Sequence, residues 1–209
     1  PGFLGLHLEG PHLDPARKGA HDAGLIRPMT GDDLDQLCQA ARELPALMVT
    51  VAPASVTLDQ IAKLAAAGVI VSLGHTDATL EQAKAAIAAG ARCATHLFNA
   101  MSQMGNREPG MVGAVLTSSI AAGVIADGHH VAVEALRVAV AARPNGLFLV
   151  SDCMAAAGSE ATEFTLGGRR ILRREGCLRL EDGTLAGADL TLPQAVRVMV
   201  QRVGLPLEA

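Results

Sequence analysis

The chain has 209 residues, of which 50% are hydrophobic, 18% charged and 2% aromatic, with a formal net charge of -4. That length allows one large or two small domains with a sizeable core, and no apolar run reaches the roughly 18 residues of a membrane-spanning helix. The charge balance offers no basic field to nucleic acid, and the lack of Trp and Tyr removes a base-stacking surface.

Taken in chain order, one unit recurs. A short run rich in Val, Ile or Leu ends in a polar residue and a turn, and a helical pattern usually follows. The runs are residues 4–8, 47–51, 69–73, 93–95, 123–126 and 147–150. Helices are expected over residues 32–43, 58–67, 80–89, 131–142 and 190–203. Thr57 with Gln60 has the form of a capping box, and Gly68 follows as a helix terminator. Strands apolar on both faces and alternating with helices imply a parallel sheet with helical crossovers. The fold class is therefore α/β, as an incomplete (β/α) barrel or a doubly wound sheet. No Gly-x-Gly-x-x-Gly follows the first strand, which weakens the dinucleotide-binding reading. Residues 163–183 differ: apolar positions interspersed with Gly167-Gly168 and Asp182-Gly183 read as one or two antiparallel hairpins inserted after the sixth strand. Arg169, Arg170, Arg173 and Arg174 on this insert read as a solvated face.

Cys38, Cys93, Cys153 and Cys177 are scattered without a Cys-x-x-Cys, the pattern of buried thiols in a reducing compartment. No charged-then-apolar leader opens the chain, so a cytoplasmic protein is expected. The start at Pro1-Gly2-Phe3 and the stop at Glu208-Ala209, straight after a helical pattern, read as a piece of a longer protein.

In a parallel barrel the strand C-termini line one mouth, where the chemistry sits. Here those positions carry Glu9, His75, His96 and Asp152, with His130 just past another strand end. A single His after a strand is ordinarily a hydrogen-bonded structural residue. A carboxylate and imidazoles at successive strand ends are instead a donor set for one divalent ion, zinc or iron. A carboxylate such as Asp152 beside that ion supplies a general base, and the chemistry implied is hydrolysis of a carbonyl or phosphoryl centre.

Local strings then carry a resemblance. Gly5-Leu6-His7-Leu8-Glu9-Gly10-Pro11-His12-Leu13 with Lys18-Gly19-Ala20-His21, Ser72-Leu73-Gly74-His75-Thr76-Asp77-Ala78-Thr79 and Ala94-Thr95-His96-Leu97-Phe98-Asn99-Ala100-Met101 appear in that order. Arg107-Glu108-Pro109-Gly110, Ala126-Asp127-Gly128-His129-His130-Val131, Val150-Ser151-Asp152 and Leu185-Ala186-Gly187 follow. Together they resemble the N-acetylglucosamine-6-phosphate deacetylases of the amidohydrolase superfamily.

The resemblance implies a distorted (β/α)8 TIM-like barrel beside a small β-sandwich. Residues 1–209 would be a partial catalytic barrel domain holding about strands 3–8, with the hairpin insertion at 163–183 and the sandwich absent. Six of eight strands leave two unpaired edges, so this segment alone is expected to be poorly stable or inactive. The implied reaction removes acetyl from N-acetyl-D-glucosamine 6-phosphate. By resemblance Glu9, His75 and His96 hold the metal, and Asp152 is the general base, then acid. Ala20, His21, Asn99 and Ala100 contact substrate, and Leu185, Ala186 and Gly187 form a loop over the sugar. Arg107 and His130 bind the phosphate, in a homodimer whose phosphate site is completed by the neighbouring subunit. Without that context Arg107 reads as a surface ion pair with Glu108. His7, His12 and His129 are left as structural or supporting residues.

Three departures stand out: Ala52-Pro53-Ala54 in place of Ala-Pro-Glu, Cys153-Met154 after Asp152, and Asp189, expected to cap the helix starting at Leu190. The alternatives are an N-acetylgalactosamine-6-phosphate deacetylase, another N-acyl hydrolase, or a non-catalytic sugar-phosphate-binding relative.

Overall fold

The computed structural model describes residues 2–208. Two compact units make up the chain, one running to Ala122 and the other starting at Gly123.

The first unit alternates strands with helices. Strands β1 (Leu6–Glu9), β2 (Leu47–Val51), β3 (Ile70–Leu73) and β4 (Cys93–Ala94) pair in parallel, each with its successor in sequence. Glu9 stands beside Thr50, Thr50 beside Ser72, and Leu73 beside Ala94. Val49, Val51, Val71 and Leu73 are fully buried, which is why these runs read as apolar on both faces. Helices α1 (Gly31–Glu43), α2 (Leu58–Ala66) and α3 (Leu80–Ala88) each begin at a capping box: Thr30 with Asp33, Thr57 with Gln60, and Thr79 with Gln82. Each box satisfies two backbone N–H groups that a helix start leaves open, and Ser/Thr-to-Ala changes at such positions cost about 1 kcal/mol.

Helix α4 (Gly110–Leu116) has no counterpart in the sequence reading. All seven of its residues are buried, so it has no polar face and hence no amphipathic period to detect. Strand β5 (Ala121–Val124) begins two residues before the expected 123–126. Ile125 and Ala126 are buried too, so the apolar run gives no punctuation before Asp127. Ala121 and Ala122 pair with Cys93 and Ala94 of β4.

In the second unit the Val150 N–H donates to the Val124 carbonyl at 3.1 Å, following β6 (Leu147–Leu149). Helix α5 (Val133–Ala142) precedes that strand. A four-stranded antiparallel sheet follows in the order β10-β9-β8-β7, from β7 (Glu163–Leu166), β8 (Arg169–Arg174), β9 (Cys177–Leu180) and β10 (Leu185–Ala188). The tight turns sit at Gly167-Gly168 and Glu175-Gly176, all four residues with positive φ, the backbone that a right-twisted hairpin demands. On its face Arg170 pairs with Glu163 and Glu181.

Two expectations are corrected here. Leu185, Ala186 and Gly187 form strand β10, not a loop, because Leu185 pairs with Arg179 and Ala188 with Cys177. Asp189 does not cap the following helix. It takes a two-pronged ion pair from Arg173 at 2.7 and 2.8 Å, and Thr191 caps α6 (Leu192–Val198) with Gln194 accepting its N–H. The helix continues as one π-helical turn, Met199–Val203, and stops at Gly204 with φ 95°.

Among the described residues no helix is long and apolar enough to cross a membrane. The cysteines are unbridged: Cys93 and Cys177 are buried as expected, Cys38 is half-buried, and Cys153 is exposed, against the expectation of a buried thiol.

Candidate metal centre

Glu9 closes β1, His75 stands two residues past β3, and His96 two residues past β4. Parallel in-register pairing therefore delivers all three to the same end of the sheet. His75 (φ 44°) and His96 (φ 32°) both hold left-handed backbone, which costs a non-glycine residue of order 1 kcal/mol or more. Gly74 precedes His75 in tight quarters: a Cβ there would stand 2.8 Å from Thr95 Cβ.

The ligand atoms of Glu9, His75 and His96 all lie within 4.8 Å of one another, the group among the described residues suited to a metal ion. Glu9 Oε1 is 2.6 Å from His75 Nε2 and 3.4 Å from His96 Nε2, and the two Nε2 atoms are 3.0 Å apart. The His75 and His96 side chains are only 6% and 5% exposed, while Glu9 is 25% exposed and so opens the group to solvent. Burial pushes the Glu9 carboxyl up, but hydrogen bonds from His21, His75 and His96 outweigh it and hold Glu9 far below the ordinary carboxylate range.

The protonation pattern fits a cation. His75 Nδ1 lies 2.8 Å from the Arg17 carbonyl oxygen, which only accepts, so Nδ1 carries the proton. When Nε2 carries no proton toward Glu9, the neutral ring leaves it a bare lone pair facing a carboxylate oxygen and a second imidazole nitrogen. Such a gathering of acceptors is stable only around a proton or a metal. A tetrahedral ion with ligand bonds of about 2.1 Å sets its donors about 3.4 Å apart, and the three separations here run from 2.6 to 3.4 Å. Two imidazoles and a carboxylate are a donor set suited to a divalent metal ion.

His21 joins this group. Its Nε2 is 3.3 Å from Glu9 Oε1, and its ring stands edge-on to His75 with centroids 4.6 Å apart. Ala20 precedes it, half-buried. Asn99 Nδ2 donates to the Leu97 carbonyl at 3.4 Å, and Ala100, with φ 46°, accepts from the Thr76 N–H. Arg107 is exposed. Its neighbour Glu108 accepts from the Leu80 and Gly110 backbone N–H groups at 2.7 and 3.0 Å, so that carboxylate serves two helix starts and not an ion pair with Arg107.

In the second unit Asp127 accepts from His130 Nδ1 at 2.6 Å and from its backbone N–H at 2.8 Å, which orients that imidazole. Burial raises the Asp127 carboxyl, yet the hydrogen bonds from the His130 side chain and the His129 and His130 backbones leave it below its ordinary value. Asp152 stands three residues past β6 with φ 48°, the same left-handed backbone as His75 and His96. Its carbonyl accepts from the Ala188 N–H at 2.7 Å. Gly187 makes this approach feasible: a Cβ on it would stand 2.9 Å from the Asp152 carbonyl oxygen.

His12, set aside as structural, places Nδ1 3.1 Å from the Arg27 carbonyl, and His7 Nε2 meets Thr50 Oγ1 at 2.8 Å. Sequence reasoning missed Arg17 and Asp14, since a backbone carbonyl reaching a distant imidazole leaves no mark in residue type.

No family model matches the chain. It is 41% identical over 209 residues to the N-acetylgalactosamine-6-phosphate deacetylase of Shewanella sp. (strain ANA-3), covering 99% of this chain and 52% of that protein. It is 40% identical over 207 residues to the N-acetylglucosamine-6-phosphate deacetylase of Haemophilus influenzae, covering 98% and 54%. The crystal structure of the Pasteurella multocida N-acetylglucosamine-6-phosphate deacetylase superposes with a TM-score of 0.94 at 39% identity, over 99% of this chain and 54% of that one. A mutant of the Mycobacterium smegmatis enzyme, solved in complex with N-acetyl-D-glucosamine-6-phosphate, gives 0.89 at 38%, over 98% and 54%.

The chain is thus a homologue of the amino-sugar-phosphate deacetylases, hydrolases of an amide bond, and it spans about half the length of the curated relatives it matches. The resemblance to N-acetylglucosamine-6-phosphate deacetylase read from its motifs holds along almost the whole of this segment.

Proposed function

We propose that the protein containing this chain removes the acetyl group from N-acetyl-D-glucosamine 6-phosphate, giving D-glucosamine 6-phosphate and acetate, in amino-sugar catabolism. The observation that carries this reading is the convergence of Glu9 Oε1, His75 Nε2 and His96 Nε2 in one half-buried group. It is supported by homologues and a substrate-bound neighbour of that chemistry.

These three residues would hold one divalent ion, zinc or iron. When bound, such an ion lowers the pKa of water to roughly 7 and polarises a carbonyl oxygen. Asp152 is assigned the proton transfers: a carboxylate oxygen takes a proton from the attacking water and returns it to the departing amide nitrogen. Its left-handed backbone, shared with His75 and His96, supports the assignment, because such strain gathers where a side chain must be aimed. His21 would meet the acetamido group, with Ala20, Asn99 and Ala100 lining the sugar. Leu185, Ala186 and Gly187 would cover it as the strand β10. Arg107 and His130 would bind the phosphate, the guanidinium fork matching its oxygens, with the neighbouring subunit of a homodimer completing the site. Residues 1–209 would then be six strands of an eight-stranded barrel with the antiparallel insert, in a cytoplasmic enzyme.

The galacto epimer is the second reading, favoured by the relative of that name at 41% identity. Acetate release by the full-length protein from each 6-phosphate epimer tests both. No release from either, with metal bound, would end the deacetylase reading, and the ratio of kcat/KM values assigns the epimer.

A further inference from the structure

We infer that the ion pair between Arg17 and Asp77 is a positioning device for His75, holding the imidazole in the tautomer that turns Nε2 toward a divalent cation. The inference rests on the metal reading above. Two segments far apart in sequence grip each other at this point. The Asp14 N–H donates to the His75 carbonyl at 2.9 Å. The Asp77 N–H donates to Asp14 Oδ2 at 3.1 Å. His75 Nδ1 donates to the Arg17 carbonyl at 2.8 Å. Arg17 Nε and Nη2 then both reach Asp77 Oδ1, at 2.9 and 2.7 Å. Asp14 also accepts from the Ala16 N–H, fixing the short 3-10 turn Pro15–Arg17 from which the Arg17 carbonyl projects. Gly19 completes the wrap, with positive φ and a would-be Cβ 3.1 Å from His75 Cε1.

The pair is 38% and 50% exposed, and at such exposure an ion pair adds little to global stability. Its geometry gives it a different task. It ties the residue whose carbonyl selects the tautomer to the residue two places after the ligand, so the acceptor cannot drift from Nδ1. Partners that orient a metal-bound imidazole in this way are worth 10–100-fold in metal affinity when they act directly. A pair acting through the backbone is expected to contribute about fivefold.

The test is zinc affinity, read by competition with a chromophoric chelator on the full-length protein. Arg17→Ala and Asp77→Ala are each expected to weaken binding about fivefold, and the double variant about as much as either single one. Arg17→Lys, which keeps the charge, is expected to return within about twofold of wild type. Asp77→Asn provides the reading should Asp77→Ala not fold. Zinc affinities within twofold of wild type in the single variants, even with lowered thermal stability, would overturn the inference, as would fully multiplicative losses in the double variant. Glu9→Gln separates the two readings: if wild type and Glu9→Gln take up zinc equally, the metal centre itself is wrong and the positioning role falls with it.

Discussion

Thr95 Oγ1 stands 2.7 Å from Thr50 Oγ1 and equally 2.7 Å from Ser72 Oγ, joining three strands of the sheet one residue before His96. All three residues are buried, and His7 extends the network through Thr50. Strand β4 has only two residues, so these hydroxyls supplement its short backbone ladder.

Replacing Thr95 with Val keeps the shape and takes one partner from each of the Thr50 and Ser72 hydroxyls, while Thr50 keeps His7 Nε2. A hydrogen bond lost in this way costs about 1 kcal/mol, and a loss of about 1–2 kcal/mol is expected in urea unfolding of the full-length protein. Gly74→Ala is expected to lose a similar amount through overpacking, about 1–3 kcal/mol, since its Cβ would meet Thr95 Cβ at 2.8 Å and Thr50 Cγ2 at 3.0 Å. Unfolding midpoints equal to wild type would show that these contacts relax freely.

Glu9→Gln removes the anionic donor from a group with two imidazoles. Zinc or ferrous binding by equilibrium dialysis is expected to fall by more than about a hundredfold, because even supporting partners account for 10–100-fold. Treatment of the wild-type protein with a chelator is expected to abolish acetate release, and adding back zinc or ferrous ion to restore it.

Asp152→Asn is expected to lower kcat by about 10²–10⁴ while leaving metal content unchanged, the range that general acid–base transfers contribute. Full turnover with normal metal content would remove Asp152 from the proposed mechanism.

The Asp127 carboxyl has a lowered pKa in the folded chain. An acid whose folded value is depressed contributes stability above its unfolded pKa, about 3.9, and loses it as pH falls through the folded value. The urea midpoint of wild type is therefore expected to drop more steeply below about pH 4 than that of Asp127→Asn. Parallel curves for the two proteins would contradict the hydrogen-bonded role of Asp127 beside His130.

Much of the fold is legible along the chain because its signals are local. Thr57 and Gln60 mark a helix start by residue type alone, and the turn at Gly167-Gly168 marks a hairpin. Helix α4 escaped because it is buried on every side, so its sequence lacks the alternation of faces that solvent imposes. Strand β10 escaped because Leu185-Ala186-Gly187-Ala188 is small and glycine-broken, and only its pairing with β9 makes it a strand. Asp189 looked like a cap by position, and the competing Arg173 guanidinium, 16 residues away in sequence, claims it instead.

By itself the sequence determined which residue types end each strand, and so which side chains can offer a carboxylate or an imidazole. The tertiary structure decided that Glu9 and His75, 66 residues apart, and His96, 21 further on, share one point in space. It also decided, through the Arg17 carbonyl, which nitrogen of His75 is left open. Residue type is a local property of the chain. The meeting of lone pairs and the choice of tautomer depend on distances that exist only once parallel strands have paired.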